Sequence, residues 1–263
     1  MTTLIDLTMP VYEGMLFNPD HPRAPVLWLN QRHEITQYYY DTLWTDENRP
    51  PLFGGLPPEV AMPRQGHGWQ SEQMIIGTHM GTHVDAGLHF DPESTQDAAA
   101  IPLDACYGTA VLLDMRPICG DKASYPITID DLEEAERAAG ETVKPGDIVL
   151  LNTGHMAKYG PAGTSDLEKF FTVYPGLARE SSAWFIDRKV KLVGCDTLNI
   201  DCDLAVSTHL NFLFRERVGE PVILIVENLM YLEKLPSRFT FCALPLTLRS
   251  ASGSPVRAVA ILD

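Results

Sequence analysis

Three histidines and one aspartate, His79, His83, Asp85 and His89, fall at spacings of four, two and four residues in the segment His79-Met80-Gly81-Thr82-His83-Val84-Asp85-Ala86-Gly87-Leu88-His89. Imidazole supplies borderline nitrogen and carboxylate supplies hard oxygen, a pairing suited to Zn2+, Mn2+ or Fe2+. Eight histidines in 263 residues make such a cluster a poor candidate for chance. The chemistry it points to is metal ligation, provided the backbone can gather the side chains.

A continuous helix cannot. At about 100° per residue it puts His79 and His83 on one face and turns Asp85 roughly 200° away from His83. A straight strand puts the odd-numbered residues on one face but separates His79 from His83 by about 13 Å, too far for one ion. A bend near Gly81-Thr82 followed by an extended His83-Val84-Asp85 resolves both failures, and glycine permits such a bend without a Cβ penalty. His89, six residues beyond His83, is then either a further ligand or a general base beside the metal. Two distant residues could complete the site. His209 lies in Ser207–Leu213, which reads as helical, and Glu227 follows the apolar strand Val222–Val226, where a carboxylate is costly unless paired or bound to a cation.

The elements that must position these groups form a mixed α/β pattern in a single domain spanning 1–263. Leu4–Thr8 reads as a short strand. The stretch 42–68 is crowded with proline and glycine, which disfavours helix and central strand, so it is expected to be a long loop or lid. Trp44 and Phe53 within it, with Trp69 beside it, could cover a flat aromatic substrate. From Gly108 onward the elements alternate: strand 109–114, a helix from Asp130 to Ala139 capped by Thr128 or Asp130 and stopped by Gly140, and strand 147–151. A helix over 178–188, strands at 190–193 and 222–226, and two final strands at 238–246 and 256–262 around a turn at Ser252–Pro255 complete the pattern.

Composition narrows the function classes. The net charge is −15, from 35 acidic and 20 basic residues. It disfavours phosphate backbones and anionic lipid surfaces, so neither nucleic acid nor membrane is an expected partner. No apolar run reaches the length of a membrane span, and the N-terminus lacks a signal-like region, so a cytoplasmic location is expected. The five cysteines are widely spaced with no C-x-x-C pair, which reads as small buried side chains rather than a disulfide or thiolate framework.

Carried on to Phe90, the histidine segment resembles the signature H-x-G-T-H-x-D-x-P-x-H-F of the cyclase family of metal-dependent hydrolases, which includes bacterial kynurenine formamidase, isatin hydrolase and certain polyketide cyclases. It matches at every position except the proline, which is Gly87 here. The resemblance extends through Gly146-Asp147, Thr153-Gly154, Asp196 and Asp201, His209, Glu227-Asn228 and Gly253–Ile261. It implies a swivelling β/β/α fold, with His79, His83 and Asp85 holding a first metal and His89 acting as catalytic acid/base. Asp85 and Glu227 would bridge to a second metal held also by His209. One or two Mn2+ or Zn2+ ions per subunit are implied, with a homodimer or larger assembly.

The implied reaction is hydrolysis of a small aromatic or cyclic substrate. An isatin-like cyclic amide stands ahead of an aryl formamide such as N-formylkynurenine because the region before the motif is enlarged. His155 also stands where tryptophan commonly follows Thr-Gly, and the interval between His209 and Glu227 is longer than in short formamidases. Dehydrative polyketide ring closure is the alternative within the family, with lactone hydrolysis behind it. An Fe(II) oxygenase triad leaves His79 and His89 unexplained, and a non-catalytic metal-binding protein would require a closed coordination shell.

Overall fold

A computed structural model describes residues 2–13, 15, 26–33, 69–122, 124–161, 163, 166–202 and 206–262. Contacts divide the chain into two compact units, a larger one built chiefly from Gly77–Asp263 with the N-terminal Met1–Val11, and a smaller one of Tyr12–Met15 and Arg23–Ile76. The 42–68 stretch, with Trp44 and Phe53, lies outside the described residues.

In chain order the strands are β1 (Thr3–Asp6), β2 (Val26–Gln31), β3 (Ser71–Ile75), β4 (His83–Asp85), β5 (Tyr107–Asp114), β6 (Pro126–Ile127) and β7 (Ile148–Asn152). They continue with β8 (Gly176–Leu177), β9 (Leu192–Cys195), β10 (Leu224–Glu227), β11 (Arg238–Cys242), β12 (Gly253–Pro255) and β13 (Val259–Leu262). Nine of them form one mixed sheet in the order β1-β13-β11-β5-β7-β9-β10-β4-β12. Its centre, β5-β7-β9-β10, is parallel, and antiparallel strands flank it on both sides.

The sequence explains that division. All five residues of β7 are buried, as are all four of β9 and of β10. Such buried runs, apolar up to the terminal Asn152 of β7 and Glu227 of β10, suit a parallel centre covered on both faces. One cover is the helix Ile129–Ala139, which buries Leu132 and Ala135. Its start is fixed by a reciprocal cap in which Thr128 Oγ1 accepts from Asp131 N at 3.3 Å and the Asp131 carboxylate accepts from Thr128 N at 2.8 Å. Gly140, at φ 65°, ends it in the left-handed conformation.

Several boundaries differ from the sequence reading. The helix expected over 178–188 is limited to Ser182–Asp187, because the N–H groups of Leu177 and Ala178 donate instead to the carbonyls of Ile200 and Ile127. The turn expected at Ser252–Pro255 is instead the edge strand β12, paired with β4. Proline is tolerated at a sheet edge, where its missing N–H breaks no ladder, so Gly-Ser-Pro does not preclude a strand there.

In the smaller unit β2 and β3 pair antiparallel, and the Trp69 indole N–H donates to Gln31 Oε1 at 2.9 Å. Among the described residues no helix is long and apolar enough to cross a membrane.

Candidate metal centre

Register places the first three groups. In the antiparallel ladder His83 lies opposite Glu227, and Asp85 lies opposite Ile225 on one side and Gly253 on the other. Opposed residues share a face and alternate residues return to it, so His83, Asp85 and Glu227 project from the same side of the sheet. Gly81, at φ 63°, makes the bend that precedes β4. The bend returns His79 to within 2.7 Å of Asp85, measured from Nδ1 to Oδ1. Gly253 supplies the room: a Cβ there would fall 2.6 Å from His79 Cε1.

His209 enters from the helix Ser207–Leu213 and is buried. Its Nε2 lies 3.5 Å from Asp85 Oδ2 and 3.6 Å from Glu227 Oε1. His83 Nε2 lies 3.4 Å from Asp85 Oδ1 and 3.6 Å from Glu227 Oε2. Two imidazoles therefore face two carboxylates across a space of a few ångströms. The His89 ring stacks on His79 with centroids 3.9 Å apart, and it meets the His209 ring edge-on with centroids 5.9 Å apart. The six residues singled out from the sequence are thus brought together, whereas Trp69 belongs to the smaller unit.

Each inward nitrogen is aimed by a bond on the far side of its ring. His83 Nδ1 bonds Gly81 O at 2.9 Å, and the Asn228 amide donates to the same carbonyl at 3.1 Å. His209 Nδ1 bonds Asp201 Oδ2 at 2.7 Å, and His79 Nε2 bonds Ser252 Oγ at 2.8 Å. Such outer partners fix tautomer and ring orientation at metal centres. The sequence reading gave no role to Asp201, Ser252 or Asn228. Their partners are set by the fold rather than by spacing, and a buried carboxylate eight residues before His209 was the one available signal.

The protonation behaviour has a single theme. Burial opposes the charged form of His83, but hydrogen bonding and charge from Asp85, with Glu227, raise its pKa to about 9. His209 is likewise opposed by burial and raised to about 10 by Asp201, Asp85 and Glu227. Burial and then the Asp85 charge push Glu227 up to about 7. Burial opposes ionisation of Asp85, yet the surrounding histidines hold it well below the usual carboxylate range. His89 goes the other way, down to about 4, because burial disfavours its cation. The buried carboxylates demand positive charge, and protons on His83 and His209 provide it in the protein alone.

A divalent cation fits the same demand. Among the described residues Asp85 Oδ2 is buried without a hydrogen bond, its nearest imidazole nitrogen being His209 Nε2 at 3.5 Å, an expensive state for a carboxylate oxygen unless a cation takes it. Ligand atoms of His79, His83 and Asp85 lie within 4.8 Å of one another, as do those of Asp85, His89 and His209. The nitrogen and oxygen donor set suits Zn2+ or Mn2+.

Comparison with known proteins bears on the family and the fold. The cyclase family model matches residues 5–202. The chain is 29% identical to cyclase-like protein 3 of Oryza sativa subsp. japonica over 237 residues, covering 87% of this chain and 78% of that protein. It is 24% identical to a kynurenine formamidase of Bacillus mycoides (strain KBAB4) over 228 residues, covering 85% and 87% of the two chains. Isatin hydrolase A from Ralstonia solanacearum superposes with a TM-score of 0.75 at 21% identity, covering 100% of this chain and 92% of that one. The shared fold is the swivelling β/β/α architecture expected from the sequence. His209 and Glu227 lie beyond the span of the family model, so their place in the site rests on the geometry above.

Proposed function

Because this chain belongs to the cyclase family, we propose that it is a metal-dependent hydrolase that opens a cyclic amide of the isatin type or cleaves an aryl formamide. The observation that carries the reading is Asp85 Oδ2, buried and without a hydrogen bond among the described residues, 3.5 Å from the inward nitrogen of His209. In support, the kynurenine formamidase and isatin hydrolase similar to this chain carry names that share C–N hydrolysis beside an aromatic ring. The lactam stands first because of the enlarged region before the histidine motif.

His79, His83 and Asp85 would hold one cation, and Asp85, His209 and Glu227 a second, as Zn2+ or Mn2+. When bound, the metal supplies Lewis acidity, which acidifies water and polarises a carbonyl. His89 carries the proton. Its depressed pKa, about 4, leaves the ring neutral at pH 7, so it can accept from the attacking water and return the proton to the departing nitrogen. Stacking on His79 keeps it beside the site without making it a carboxylate's partner. The half-buried Phe90 ring, 4.9 Å from the His209 ring, would limit the directions from which a substrate carbonyl enters.

The test is metal analysis of purified protein combined with a hydrolysis screen over isatin, N-formylkynurenine, lactones and imides. Co-purifying Zn2+ or Mn2+ and C–N cleavage with gain of one water is the expected result. A product lighter by one water would replace hydrolysis by dehydrative ring closure. Lactone cleavage without amide cleavage would move the bond class to esters. Size-exclusion chromatography tests the homo-oligomer expected of the family.

A further inference from the structure

Among the described residues the His89 ring makes no hydrogen bond; it packs against rings, His79 stacked at 3.9 Å, Phe90 edge-on at 4.6 Å and His209 edge-on at 5.9 Å between centroids. The backbone beneath therefore sets where the ring sits. That backbone is a single 3-10 turn, Gly87–His89, which has little intrinsic stability.

The turn is held from outside. Ser94 packs into the space beside Gly87: a Cβ on Gly87 would fall 3.2 Å from Ser94 Cβ and 3.3 Å from Val222 Cγ2, with Ser94 Oγ closer still. The place a proline ring would occupy at this position is thus filled by Ser94. Gln96 then closes the loop onto the turn, its backbone carbonyl accepting from Leu88 N at 3.0 Å and its side-chain oxygen from Gly87 N at 3.2 Å.

Glu216 gathers the other end. Its carboxylate accepts from Ser94 Oγ, from Thr95 N at 3.0 Å and from Thr95 Oγ1 at 2.9 Å. Next to it Arg217 forks onto the buried Asp91, with Nε to Oδ2 at 2.8 Å and Nη2 to Oδ1 at 2.5 Å. Asp91 itself bonds back to the turn through its N–H to Gly87 O at 3.0 Å. Both clamping residues lie in the 3-10 turn Arg215–Val218, which directly follows the His209 helix.

We infer that Glu216 and Arg217 are positioning residues that clamp the His89 turn to the segment carrying His209, so that the proton carrier and the metal-holding helix keep a fixed relation. The inference rests on the reading of His89 as the proton carrier. It makes the clamp specific to this chain's Gly87–Ser94 pairing, because the serine that displaces a side chain at position 87 is also Glu216's hydrogen-bond donor.

The experiment uses full-length, metal-loaded protein carrying Glu216→Ala or Glu216→Gln. Metal content, hydrogen exchange by mass spectrometry, the rate of diethylpyrocarbonate labelling at His89, and kcat and KM on isatin and N-formylkynurenine are measured. Glu216→Ala should retain metal, raise exchange in 87–96 but not in β7, and speed His89 labelling several-fold. Its kcat should fall about 10- to 100-fold with KM little changed, as misplacement by about an ångström does. Glu216→Gln, which still offers an acceptor to Ser94 and Thr95, should recover most of each. In a His89→Ala background Glu216→Ala should cause no further loss. Unchanged exchange and labelling, or exchange rising throughout the sheet, would overturn the clamp. If His89→Ala turns over as fast as the parent protein, the proton-carrier reading fails instead, while exchange and labelling still decide whether the clamp exists.

Discussion

Asp201 Oδ2 bonds His209 Nδ1 at 2.7 Å and thereby turns His209 Nε2 toward Asp85 and Glu227. The same carboxylate accepts the backbone N–H groups of Thr208, at 2.7 Å, and His209, at 3.2 Å, so it fixes both the ring and the start of its helix. Asp201→Asn retains an acceptor but loses the charge that supports the imidazole. Metal affinity should fall roughly 10- to 100-fold, as for other carboxylates behind ligand histidines. Chelator competition with metal analysis reads it; affinity equal to the parent protein would remove Asp201 from the site.

Position 253 tests the space left for His79. In Gly253→Ala the new Cβ would meet His79 Cε1 at 2.6 Å and the Val84 carbonyl oxygen at 2.7 Å, and the latter is backbone that cannot swing aside. Stability should drop by about 1 to 3 kcal/mol, as overpacking does. Metal retention should fall with it, because His79 must leave Asp85. Denaturant unfolding and metal analysis together check the pair; a folded variant with full metal content would show that His79 is dispensable as a ligand.

His89→Ala should separate binding from proton transfer. His89 stacks on His79, so its removal opens space without cutting a hydrogen bond to the carboxylates. Turnover should fall roughly 10²- to 10⁴-fold, the range for a positioned acid/base, while bound metal stays the same. Loss of metal in step with activity would make His89 a ligand, the other role its sequence position allows.

The protonation pattern sets a pH dependence. His83 and His209 have pKa values raised from 6.5 to about 9 and about 10, so the stability they lend to metal-free protein is complete below about pH 6.5 and lost as pH rises through 9 to 10. Glu227, raised from 4.5 to about 7, acts in the same direction as pH passes through 7. The Tm of stripped protein should therefore decline between about pH 7 and 10, and metal should raise Tm more at the upper end, since binding displaces those protons. Thermal melts with and without Zn2+ across this range measure it. A metal-induced shift that is larger at pH 6 than at pH 9 would contradict the sign.

Much of this site could be read before the fold was seen, for identifiable reasons. Impossible reach in a helix or a straight strand required a bend at Gly81, and its φ of 63° is that bend. The extended His83-Val84-Asp85 is strand β4, and Glu227 is the last residue of β10, directly opposite His83. Buried strands such as β7 were legible because both faces are covered and the apolar run is unbroken. β12 was misread as a turn because Gly, Ser and Pro signal turns locally, whereas pairing at a sheet edge is a long-range fact. Asp201, Ser252 and the Glu216–Ser94 link were equally out of reach, since each joins segments whose adjacency only the folded sheet creates. The aromatic residues Trp44 and Phe53 lie outside the described residues, so their covering role stays a proposal.

The most direct measurement is single-turnover hydrolysis in isotopically labelled water, with metal-loaded protein, chelator-stripped protein and His83→Ala compared on isatin and N-formylkynurenine. Label entering the product carboxylate with metal-loaded protein alone, and loss of both metal and turnover in His83→Ala, is the expected result. Turnover that survives chelation, or a His83→Ala protein that keeps its metal and its rate, would contradict it.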